Sequence, residues 1–157
     1  MSILFISKKS HFYKMERVKI NMPETFSFKT SIAIRITDIN YGGHVGNDSF
    51  LSLIQEARLQ FFNHYGYTET NLEGFGVIMI DAALEYKSEL FYGDTVDICV
   101  TISNISRVGF DLFYLLEKNT GTEIQIAAKA KTGILCFDYS TRKVVPVPKT
   151  AIEKFTK

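Results

Sequence analysis

Between Asn47 and Tyr65 the residues Phe50, Leu51, Leu53, Ile54, Ala57, Phe61 and Phe62 recur at helical spacing, yet they cover more than one narrow stripe of the helix they predict. A helix apolar over so much of its circumference has to be covered from several directions. A sheet wrapped around it meets that need better than a flat surface beneath it. Gly66 supplies a C-terminal stop, and residues 67 to 74 read as a polar connection.

The flanking segments read as strands. Upstream, Ile32, Ile34 and Ile36 alternate with Ala33, Arg35 and Thr37. Downstream, Val77 to Lys87 is a long apolar-rich run ending at the turn Tyr92-Gly93-Asp94. Val96, Ile98, Val100 and Ile102 then alternate cleanly with Asp97, Cys99, Thr101 and Ser103. A turn over 106 to 109 precedes Phe110, Leu112, Tyr114 and Leu116, and Asn119-Thr120-Gly121 turns the chain again. Glu123 to Asp138 reads as a last long strand, followed by a short one at Val144-Val145 and a terminal helix from Thr150 to Phe155. One strand, one apolar helix and then consecutive strands joined by short turns predict an α+β domain: a curled antiparallel sheet wrapped around one long central helix. Its edge strands would expose unpaired backbone groups, which argues for pairing with a second copy of the chain.

A chain of 157 residues, 46% hydrophobic, supports one sizeable core. Net charge of +1 gives no broad basic field, so neither nucleic acid nor an anionic membrane is expected as the main partner. Cys99 and Cys136 sit inside apolar runs without metal-ligand spacing; both read as core thiols and fit a reducing, cytoplasmic setting. Residues 1–22 contain one short apolar run, Ile3 to Ile6, below the length of a membrane span or an export signal. They read as a peripheral, flexible extension, with Met15 or Met22 as alternative starts and a single domain over 23–157. His11 and His64 fit no ligand pattern.

Chemistry concentrates in Asp38-Ile39-Asn40-Tyr41-Gly42-Gly43-His44-Val45-Gly46-Asn47, where a strand hands over to the N-terminus of the helix. The first turn of a helix leaves N–H groups without partners and carries partial positive charge, and Gly42 and Gly43 permit positive φ and close approach of a bound group. Asn47, Asp48 and Ser49 are helix-capping residue types.

This loop leading into Leu51-Ser52-Leu53-Ile54-Gln55-Glu56-Ala57-Arg58, with Tyr92-Gly93-Asp94 and Thr132-Gly133-Ile134 at their places in the element order, resembles the hotdog-fold acyl-CoA thioesterases of the 4-hydroxybenzoyl-CoA thioesterase-like group over residues 25 to 147. The resemblance implies the hotdog fold and a homodimer or tetramer of dimers. It also implies a CoA or acyl carrier protein thioester as substrate, no metal or other cofactor, and a site at the dimer interface near the start of the helix. Two positions depart from the group's pattern. Asn40 stands where many members carry a second acid, and Gly46 where relatives often have asparagine.

An amide cannot take a proton, so the base must lie elsewhere. Glu56, on the helix among Phe and Leu, is the first candidate; partial burial there would suit it to proton transfer near neutral pH. It would deprotonate a water, with Asn40 and the backbone N–H of Gly46 or Asn47 stabilising the oxyanion and His44 orienting water or carbonyl. Glu56 is equally able to pair with Arg35 or Arg58, His44 to bond a backbone carbonyl, and Asp38 to hold the turn instead of assisting as base. Tyr41, Gly42 and Gly43 would border the substrate. Lys87, Arg107, Lys129 and Lys131 are candidates for nucleotide phosphates. Two other readings remain: a non-catalytic acyl-thioester binding or dimerisation module, and a dehydratase or hydratase using His44 and Glu56 as an acid–base pair.

Overall fold

A computed structural model describes residues 15–156. The elements run β1 (Phe28–Ala33), a 3-10 turn (Ile36–Asp38), α1 (Asn47–His64), β2 (Gly76–Tyr86), β3 (Thr95–Ser103), β4 (Gly109–Asn119), β5 (Ile124–Asp138), β6 (Lys143–Val144) and α2 (Lys149–Phe155). The strands form one antiparallel sheet in the order β1-β3-β4-β5-β2, with β6 paired to β5.

Register explains the curl around α1. Val100 pairs with Tyr114 and Tyr114 with Ala130, while Ile98 pairs with Leu116 and Leu116 with Ala128. These residues form two cross-sheet rows on one face, all fully buried. The helix residues Ile54, Ala57 and Phe61 are buried in the same core as these rows. Removing each large apolar side chain from water contributes about 1.5–3 kcal/mol. At the helix C-terminus, Phe155 of α2 stacks on Phe61 at 5.5 Å between ring centroids and meets Tyr65 edge-on at 5.2 Å, closing that end of the core. This is the hotdog architecture expected from the resemblance.

The first strand ends earlier than its alternation predicts. Ile34 is buried, but Ile36 lies in the 3-10 turn and is 66% exposed. The chain leaves the sheet there because the Arg35 N–H donates to the Asp38 carboxylate at 2.8 Å, a bond that a continuing strand could not make. Cys136 is buried as expected, whereas Cys99, on the outer sheet face, is only partly so.

Among the described residues β2 ends the sheet, pairing on one side only, with β5. A bulge between Met79 and Asp81 turns the Asp81 carboxylate onto the neighbouring strand, where it accepts from Gly133 N–H at 3.0 Å and Lys131 Nζ at 2.8 Å. A Cβ at position 133 would sit 2.8 Å from that carboxylate, which accounts for the glycine. Residues 15–22 run without regular structure past the other end of β2, where Ile20 N–H donates to Glu85 Oε2 at 3.2 Å. The remainder of the expected extension, with His11, lies outside the described residues.

Candidate active site

Asp38, 4% exposed, is held by its own turn: it accepts from Arg35 N–H and from the Arg35 Nη2 at 3.2 Å. Its backbone carbonyl accepts from Gly46 N–H at 3.0 Å, tying the two ends of the loop together. Asp38 therefore shapes the loop, and the Gly46 N–H, one of the expected oxyanion donors, is already used. The Asn47 N–H, in the first turn of α1, has no acceptor among the described residues. Asn47, Asp48 and Ser49 do not cap the helix with their side chains, since Gly46 occupies the cap position and makes no side-chain cap bond.

The Asn40 side chain folds back on the loop, its Oδ1 accepting from Gly42 N–H at 2.8 Å. With the oxygen so fixed, the amide's N–H groups are the free end. Gly43, not Gly42, takes the positive φ, +82°. Gly42 serves by close approach. A Cβ there would lie 3.0 Å from His44 Nε2 and 3.1 Å from Asn40 Oδ1, which also measures how tightly histidine and amide are gathered.

His44 Nδ1 lies 3.1 Å from the Val45 carbonyl oxygen. A carbonyl oxygen only accepts, so Nδ1 carries the proton and Nε2 presents a lone pair. Nε2 faces Glu89 Oε1 at 3.8 Å. Together with Val45, Asn47, Phe50 and Tyr86, His44 and Glu89 line a pocket of about 260 Å³. The Tyr86 hydroxyl donates to the Asn47 carbonyl at 3.1 Å and its ring meets Phe50 edge-on at 5.2 Å, fixing the pocket wall. Leu90 brings Glu89 here by accepting from Val45 N–H at 2.8 Å through its carbonyl. Glu89 was not foreseen from the sequence, where it is one charged residue between Ser88 and Leu90 and no pattern ties it to the loop.

Glu56 is not in this pocket. It is exposed on the opposite flank of α1, in a groove lined by Ser31, Ala33, Arg35, Ser52 and Leu59, and it accepts from Gln60 Nε2 at 2.7 Å. The partial burial expected for it among Phe and Leu is absent because that apolar face turns inward while position 56 points towards β1. Arg58, a pairing partner weighed for Glu56, is itself buried and bonds Glu69 instead. Tyr41 is fully exposed, at 107%. Lys87 lies beside the pocket and pairs with Glu85. Lys131 is held between Asp81 and Asp111, and Arg107 lies in the β3–β4 turn at the far end of the sheet, so neither reaches the pocket within one chain.

The chain matches the family model of the thioesterase-like superfamily over residues 34–155. It is 27% identical over 130 residues to a candidate esterase of Aquifex aeolicus (strain VF5), covering 82% of this chain and 95% of that protein. Among solved structures it is similar to a 1,4-dihydroxy-2-naphthoyl-CoA thioesterase from Synechocystis (TM-score 0.74, 20% identity, 83% of this chain and 96% of that one). It is also similar to the 4-hydroxybenzoyl-CoA thioesterase from Pseudomonas sp. strain CBS-3 (TM-score 0.74, 17% identity, 83% and 99%). With the family model spanning the loop, the helix and every strand after β1, the chain belongs to the thioesterase-like superfamily, whose chemistry is the hydrolysis of thioesters.

Proposed function

We propose that this protein is an acyl-CoA thioesterase in which His44, rather than Glu56, is the general base. The observation that carries this reading is the His44 Nδ1 contact with the Val45 carbonyl, which leaves the Nε2 lone pair beside Asn40 and Asn47 in an apolar-walled pocket. Nε2 takes a proton from water as its oxygen adds to the thioester carbon. The resulting oxyanion is met by the Asn40 amide N–H and the Asn47 backbone N–H. Collapse breaks the carbon–sulfur bond, and the imidazolium returns its proton to the departing thiolate. Asp38 holds the loop in shape, and Tyr41 and Gly43 border the approach.

The free edge of β2 supports a homodimer. Met79, Ile80 and Tyr86 on this strand and Leu51 on α1 leave apolar surface exposed beside backbone groups that have no strand partner among the described residues. Pairing of two β2 edges would place the partner against the pocket, whose wall includes Tyr86. The two free cysteines are consistent with the reducing cytoplasm.

The neighbours act, by their names, on aromatic acyl-CoAs, so the test begins there: thiol release from a panel of aromatic and aliphatic acyl-CoAs. Release from at least one class is expected. Acyl-CoA binding without release would favour the non-catalytic reading, and hydration of enoyl-CoA the hydratase.

A further inference from the structure

We infer that the N-terminal strap, residues 15–20, belongs to the substrate site: Arg17 and Lys19, beside the Lys87–Glu85 pair, hold the phosphates of a nucleotide carrier whose acyl end enters the His44 pocket. This rests on the thioesterase reading and gives the strap a task that the loop and helix leave open.

A groove of about 640 Å³ runs between the strap and the end of β2, lined by Arg17, Val18, Lys19, Leu84, Tyr86 and Lys87 among others. Tyr86 and Lys87 also line the pocket that holds His44. The two concavities thus meet at one strand end, and an extended molecule with an apolar head and a charged tail can occupy both. The volume lies within the range of small-molecule sites, roughly 300–1,000 Å³.

Charge gives the tail its chemistry. Glu16 is on the strap itself but does not line this groove, and Glu85, which does, is engaged, its carboxylate accepting from both Lys87 Nζ and Ile20 N–H. Arg17 and Lys19 make no ion pair among the described residues. A planar guanidinium and a flexible ammonium on a strap anchored through Ile20 suit a group bearing several phosphate oxygens. The concave shape and the Tyr86 ring favour a nucleotide over the convex acidic surface of a carrier protein. The family model begins at residue 34, so the strap is a feature of this chain beyond the matched domain.

The test is calorimetric, on the full chain. Dissociation constants for CoA and for pantetheine, which lacks the nucleotide, are measured for wild type and for Arg17→Ala/Lys19→Ala. The preference for CoA is expected to fall by ~10-fold in the variant, as for two exposed charge contacts, and to fall in the wild type as salt is raised. An unchanged preference, or a wild type that binds CoA no better than pantetheine, overturns the inference. So does tighter, strap-dependent binding of a phosphopantetheinylated acyl carrier protein. Wild-type thiol release from saturating acyl-CoA is read separately: its absence counts against the hydrolase reading while the CoA preference still decides the strap.

Discussion

His44 Nε2 stands 3.8 Å from Glu89 Oε1, too far for a hydrogen bond and close enough for an ion pair once the imidazole is charged. In the proposed step the ring becomes charged as it takes the water's proton, and only then does Glu89 face an opposite charge. Glu89 is 63% exposed at its side chain, so solvent screens most of the attraction. Glu89→Gln is expected to lower kcat about 5-fold, the scale of ~1 kcal/mol for a unit charge pair near 4 Å in water. The wild-type advantage should shrink in high salt. Equal rates for variant and wild type at low salt would remove Glu89 from the account.

Gly42→Ala tests how closely the loop gathers its groups. The new methyl would press on His44 Nε2 and on Asn40 Oδ1 from 3.0 and 3.1 Å, displacing both by a few tenths of an ångström or more. Misplacement on the ångström scale costs up to ~10²-fold in rate. The expected outcome is a kcat lowered by at least ~10-fold with a thermal midpoint close to wild type, because the loop is exposed there.

Arg58 secures the helix against the sheet side. It is 7% exposed, donates through Nε to Glu69, and its Nη1 lies 3.7 Å from Met79 Sδ. Desolvation by burial lowers its proton affinity, but the polar contact with Tyr114 and the hydrogen bond and charge of Glu69 together leave it raised. Arg58→Ala removes one partner of a largely buried pair and should cost ~3 kcal/mol in urea unfolding. Replacing both partners, Arg58→Met with Glu69→Leu, leaves no unpaired charge and should cost less than half of that.

The turn after β5 carries a pH-dependent contribution to stability. Hydrogen bonds from Ser140 and Thr141, hydroxyl and backbone alike, hold the Asp138 carboxyl down at about 2. A depressed carboxylate favours the folded chain above its unfolded value near 4, and the contribution is lost as pH falls towards about 2. Asp138→Asn should therefore melt below wild type at pH 7, with the gap closing between pH 4 and 2. A gap that persists unchanged at pH 2 would assign the effect to something other than the charge.

The sheet was legible because β3 buries alternate residues and β4 turns Phe110, Leu112, Tyr114 and Leu116 to the same face, a period of two that the sequence retains. Ile36 misled because the period of two ran past the point where Arg35 and Asp38 bend the chain. The helix was equally legible, but the direction of each flank was not. Which side Glu56 faces depends on α1 lying over β1 and β3, a tertiary fact that no helical period contains. Glu89 was invisible for a related reason: a long-range bond from Val45 N–H to the Leu90 carbonyl brings residues 44 and 89 together. The cationic candidates divided on the same ground. Lys131 is used within the sheet, while Lys87 stays beside the pocket.

Steady-state thiol release by His44→Ala and Glu56→Gln, measured side by side on the best acyl-CoA of the panel, tests the assignment of the base most directly. The account predicts a loss of at least ~10²-fold for His44→Ala and less than about 3-fold for Glu56→Gln. A protein that keeps its rate without the imidazole and loses it without the Glu56 carboxylate would contradict it.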